Sequence, residues 1–157
     1  MSLHEYSFAS HWVVHAPINT VGTVLLRHED WSSWWRGLET VEVTHTSNPI
    51  GAEFACTWRS HLGYRLRLVL TVTEYIPNHY IAFTSRGDLV GKGSFDLESY
   101  GNETHITILW HVVTTKKWMN LAAPLLRPIF VYNHHLLMKQ GEAGINAYLA
   151  ALTTQQG

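Results

Sequence analysis

Histidine can bind a metal, relay a proton or change charge near neutral pH, and this sequence holds eleven histidines alongside a single cysteine, Cys56. Spacing decides which of those chemistries is open. His11 and His15 fall on one face of a segment with period two, about 13 Å apart at roughly 3.3 Å per residue, too far to share an ion. His134 and His135 diverge by about 100° on a helix, so they do not chelate as an i, i+4 pair would. No metal site is expected from these spacings. Gly87, Gly91 and Gly93 belong to a hairpin region, where they read as turns and bulges rather than as a strand-to-helix loop that cradles phosphate. No cofactor is implied, and no nucleophile elbow is present. Cys56 alternates onto an inward face, where a thiol behaves as a small hydrophobe rather than a nucleophile. His134 is the remaining candidate for catalysis. Two readings stand for it: a buried histidine bonded to a neighbour, or a group that contacts a ligand and moves a proton. Ser60, Tyr64 and Arg127 are secondary polar candidates, and Arg127 could meet a carboxylate or form a surface ion pair.

These residues need elements to hold them. Tyr6 to His15 alternates with Phe8, Trp12 and Val14 on one side, which predicts a strand. Pro17 suits a helix start, Asn19 to Glu29 carries Val21, Val24 and Leu25 at helical spacing, and Asp30 opens a second short helix through Trp34 and Trp35 that Gly37 ends. From Leu38 to Thr115, turn chemistry at Asn48-Pro49-Ile50-Gly51, Gly63, Pro77-Asn78, Gly87-Asp88, Gly91 and Gly101-Asn102 separates six strands close enough to be antiparallel. Phe54, Cys56, Trp58, Ser60 and Leu62 face inward, as do Leu66, Leu68, Leu70 and Val72, and then Ile106, Ile108, Trp110 and Val112. A sheet with one apolar face needs a cover. Val131, His134, Met138, Gly141, Ile145, Leu149 and Leu152 share a narrow arc at about 100° per residue, which predicts one long helix with Pro128 in its first turn. Gly141 and Gly144 sit inside it at a cost of about 1 kcal/mol each relative to alanine, which points to close helix-sheet contact.

With 157 residues the chain matches one domain, placed at 4–153 with tails at 1–3 and 154–157. Eleven basic against twelve acidic residues, a formal net charge of -1, speak against a nucleic-acid partner. The apolar stretch from Leu121 to Tyr132 is broken by Pro124, Arg127 and Pro128 and falls short of the roughly 20 residues of a membrane span. One cysteine and no evident signal segment make the cytoplasm the expected location.

In the strand running into Ala16-Pro17 and a helix, in Trp34-Trp35-Arg36-Gly37, in the Gly87 to Gly93 region and in the closing RPIFVYNHHLLMKQGEAGINAYL, the sequence resembles the polyketide cyclase/dehydrase and lipid-transport superfamily. Lipid-transfer (START-like) domains and the major birch-pollen allergen share its fold. The resemblance implies an α+β helix-grip fold: a curved seven-stranded antiparallel sheet, two short helices after the first strand, and a long C-terminal helix over the concave face, with a cavity between. It implies no shared catalytic set. On that geometry Trp12, Phe54, Trp58, Leu68, Phe83, Phe95, Trp110, His134 and Met138 become the candidate ligand-binding residues, the other reading being that the rings simply fill a core. The leading function is binding or transport of a small apolar or amphipathic molecule such as a lipid, isoprenoid or aromatic polyketide, by a monomer or homodimer. A cofactor-free cyclase, aromatase or dehydratase is the alternative. A protein-interaction domain with a collapsed cavity, contacting partners through Tyr132 and Leu136, is the third.

Overall fold

The computed structural model describes residues 3–44 and 48–156. Alternating side chains give seven strands: β1 (Glu5–Val14), β2 (Leu38–Thr44), β3 (Glu53–Arg59), β4 (Arg65–Ile76), β5 (Tyr80–Gly87), β6 (Leu89–Tyr100) and β7 (Glu103–Thr114). They form one antiparallel sheet in the order β1-β7-β6-β5-β4-β3-β2, so the first strand pairs with the last. Between β1 and β2 lie helix α1 (Ile18–Leu26), a 3-10 turn at His28–Asp30, and helix α2 (Trp31–Trp34). Gly37, at φ +102°, turns the chain out of α2 into β2 where a side chain would be strained. Bulges between Leu38 and Thr40 and between Val72 and Glu74 interrupt the register of β2 and β4, and such insertions bend and twist a strand. The concave face carries the core, from Trp12 and Val14 on β1 through Phe54, Leu70, Phe83 and Phe95 to Ile106 and Ile108.

Helix α3 (Lys117–Gln156) covers that face. It begins eleven residues before Pro128, so the expected start is corrected: Pro124 and Pro128 lie inside the helix. A proline there removes one N–H and frees the carbonyl four residues earlier. The two are four residues apart and both exposed, so the freed carbonyls of Asn120 and Pro124 lie toward the outer face, where water can satisfy them. The earlier start also shifts the inner arc. Val131 is 39% exposed and faces out, while Phe130 and Asn133 are buried in its place. Leu62, expected inside, is 61% exposed, because β3 ends at Arg59 before the Ser60–Tyr64 turn. Gly91 breaks no strand: it pairs with Val112 inside β6. Of the expected tails, positions 1, 2 and 157 lie outside the described residues, and α3 runs through to Gln156.

Polar side chains of α3 tie it to the free edge of β1. Glu142 accepts from Val13 N at 2.8 Å, and Asn146 accepts from His15 N and donates to Val13 O. Arg127 donates to the carbonyls of Leu3 and Glu5 and lies 4.4 Å from the Tyr6 ring centroid. An edge covered this way offers no template to another strand. Gly144 lets the backbones meet, since a Cβ there would lie 1.8 Å from Trp34 O, and a Cβ on Gly141 would enter the Trp12 ring at 2.5 Å.

Candidate functional site

Helix and sheet enclose a cavity of about 140 Å³, whereas one water needs only about 10–15 Å³. The sheet contributes Trp58, Leu68, Leu70, Phe83, Phe95, Ile108 and Trp110, the α2 region contributes Trp31 and Trp35, and α3 contributes Met119, Phe130, Leu137 and Met138. Gly93 shapes this wall, because a Cβ there would lie 2.4 Å from the Trp110 ring and 2.8 Å from Phe83. Among the described residues no Asp, Glu, Lys or Arg lines the cavity; the polar side chains there, apart from indole N–H groups, are Tyr6, Ser60, Tyr64, Asn133 and His134.

Seven of the nine expected ligand-binding residues are in this wall: Trp58, Leu68, Phe83, Phe95, Trp110, His134 and Met138. Trp12 and Phe54 are not. Trp12 is 1% exposed beneath Gly141, with its ring 5.1 Å from Trp35 and 6.3 Å from Phe95. Phe54 is stacked at 4.2 Å on His28 and edged by Trp31 at 5.5 Å. Both belong to the core that supports the wall. Wall residues that were not anticipated include Tyr6, Trp31, Trp35 and Asn133, along with Leu89, Met119, Phe130 and Leu137. Tyr6 shares its parity with Phe8 and Trp12, and Trp31 and Trp35 are one helical turn apart, so pattern could have found these three. Asn133 is a polar residue in an apolar arc and gives no such signal.

His134 stacks on Phe8 at 3.7 Å and 9°. Burial, helped by His135, pushes its pKa down to about 4, so the ring is neutral at pH 7. Among the described residues its nitrogens make no hydrogen bond, and no carboxylate orients it. The Tyr64 phenol is pushed up to about 12 by burial, which outweighs its hydrogen bond with the Ser60 side chain. Tyr6 is likewise raised by burial, which outweighs Arg127. Arg127, expected as a possible partner for a ligand carboxylate, is engaged by two backbone carbonyls and lines no part of the cavity. Cys56 is buried and its thiol is pushed up to about 12, which keeps it protonated and unreactive. Among the described residues no three His, Cys, Asp or Glu side chains converge as metal ligands, and no helix is long and apolar enough to cross a membrane.

An open antiparallel sheet gripping a long C-terminal helix over an internal cavity is the START-like helix-grip fold, and the resemblance read from the sequence holds at the level of fold. Solved structures place it there directly. The Zhui aromatase/cyclase from Streptomyces sp. R1128 is 14% identical with a TM-score of 0.75, over 92% of this chain and 93% of that one. A START superfamily protein from Mycobacterium smegmatis is 13% identical, TM-score 0.75, over 93% and 98% of the two chains. The protein TTHA0849 from Thermus thermophilus is 18% identical, TM-score 0.71, over 91% and 99%. No family model and no curated protein matches the sequence.

Proposed function

We propose that this chain binds and carries a small, largely apolar molecule, such as a lipid, isoprenoid or aromatic polyketide, in the cavity between the sheet and α3. The observation that carries the reading is a cavity of about 140 Å³ with an aromatic and aliphatic wall and, among the described residues, no Asp, Glu, Lys or Arg side chain. Ligand sites of this kind are mostly apolar with a few polar groups, and each buried apolar Å² contributes about 25 cal/mol. The carrier works as one helix-grip unit over 4–153, in the cytoplasm, as a monomer or homodimer. Native mass spectrometry of freshly purified protein against a denatured control, with thermal shifts against a lipid and polyphenol panel, tests it. A released small molecule or a saturable rise in melting temperature is expected; empty protein that no panel member stabilises removes the reading.

A second reading, a cyclase or aromatase, draws support from the polar wall groups around His134 and from the aromatase/cyclase among the fold neighbours. A general base works best with a pKa near the operating pH, and a ring at about 4 with no orienting carboxylate is far from that. Conversion of a bound polyketide that His134→Ala abolishes while binding persists would put this reading ahead.

A further inference from the structure

The outer face of α3 divides into two unlike halves. In the N-terminal half Trp118, Leu121, Leu125, Ile129 and Tyr132 fall within an arc of about 80°. All five are exposed, Leu121 and Leu125 by 84% and 78%. Pro124 and Pro128 stand exposed beside them. Farther along, the same face turns to small exposed side chains such as Ala143 and Ala147. A solvated face has no need of large apolar residues, and soluble proteins rarely expose a contiguous patch of them. At 1.5 Å per residue the stripe from Trp118 to Tyr132 is about 21 Å long.

Charge decides what covers this stripe. Between Glu103 and Glu142 the sequence has no Asp or Glu, yet it has Lys116, Lys117, Arg127 and Lys139, in a chain whose net charge is -1. Lys116 pairs with Asp88 at 3.7 Å, and Arg127 is bonded to the carbonyls of Leu3 and Glu5. Lys117 and Lys139 are exposed, one beyond each end of the stripe. A second copy packed on the stripe would set lysine against lysine in either direction, with no carboxylate on the face to separate them. An anionic lipid surface suits both features. Apolar side chains enter the boundary between headgroups and acyl chains, and lysines meet the headgroup charge. Trp118 and Tyr132 add rings with one apolar body and one polar tip, which favour that boundary.

We propose that α3 docks this protein on an anionic membrane surface through Trp118, Leu121, Leu125, Ile129 and Tyr132, with Lys117 and Lys139 among the headgroups. The helix lies along the bilayer and does not span it. The docked turns also back the cavity: the Trp118 ring is 5.4 Å from Tyr64 and 5.9 Å from Phe130, and both of those line it. One layer of rings therefore separates the cavity from the docked face, which gives a carrier a short path for exchanging an apolar ligand with the bilayer. Docking itself rests on the surface of α3 and not on what the cavity holds.

Flotation of the purified protein, with no small ligand added, compares vesicles of phosphatidylcholine alone with vesicles of phosphatidylcholine and phosphatidylserine. Stronger binding to the mixed vesicles is expected, and added salt should weaken it. Leu121→Ser combined with Leu125→Ser removes side chains that belong to neither core cluster. This variant should keep the wild-type urea midpoint and lose at least about tenfold in partitioning onto the mixed vesicles. Lys117→Ala and Lys139→Ala should each lose about fivefold there and leave binding to phosphatidylcholine alone unchanged. No binding to the mixed vesicles, or binding that survives the leucine substitutions, would overturn the inference. So would light scattering that finds a wild-type dimer which the leucine substitutions dissociate, with no vesicle binding, since a second copy would then cover the stripe. Any of these failures leaves the carrier reading standing, and an empty cavity leaves the docking standing.

Discussion

Burial of His28 against Phe54 ties the stability of the protein to pH. The ring is 5% exposed, and desolvation, outweighing nearby Glu29, lowers its pKa from 6.5 to about 4. In the unfolded chain it titrates near the ordinary value. Between those two values the unfolded state binds a proton that the native state refuses, so the stabilisation is complete above about pH 6.5 and falls as pH drops toward 4. The loss amounts to roughly 3 kcal/mol for this group, and His134 adds a second in the same window. Urea midpoints measured from pH 7 to 4 should decline, and His28→Phe, which keeps the stack on Phe54, should make the decline shallower; an unchanged slope would show that His28 takes up its proton in the native state. His28 was not legible in the sequence because it lies between two short helices, where no period marks a face. His134 and Cys56 were legible, since long regular elements make parity and arc informative. Asn133 was missed for a different reason: its type argues for the surface, and only its position on α3 buries it.

Helix α3 is built around its glycines. Alanine at Gly144 would place a Cβ 1.8 Å from Trp34 O, a backbone atom that cannot swing aside. Overpacking costs about 1–3 kcal/mol, which outweighs the propensity of about 1 kcal/mol that alanine regains. Gly144→Ala should therefore lower the urea midpoint, and a rise would show that helix and α2 are not in contact as described. The close approach was readable from two glycines in a helical arc, where propensity alone disfavours them. The start of the same helix was not, because Pro128 reads as a first-turn residue and only tertiary context shows the two prolines on an outer face. That misreading hid Met119, which lines the cavity, and placed Arg127 ahead of the helix rather than on it, where it fastens the edge of β1. The antiparallel pairing of β2 through β7 followed from short connections and alternation, while Gly91 and Gly93 read as turn residues although they lie inside β6 to admit neighbouring backbone and rings.

At the scale of the molecule, one antiparallel sheet, a core of stacked aromatics and a single long helix combine to leave space rather than fill it. The core around Trp12, Trp34 and Phe54 closes one end of the concave face, and the wall from Trp58 to Trp110 stays open beside it. Which aromatics support and which line could not be read from the sequence, because strand parity gives direction without depth. Isothermal titration calorimetry of 2-naphthol into the wild-type protein and into Leu68→Trp, which would fill part of the cavity, tests the central claim most directly. The account predicts saturable one-to-one binding to the wild type and its loss in a Leu68→Trp protein that still unfolds cooperatively. Equal binding to both proteins, or none to the wild type, would contradict it.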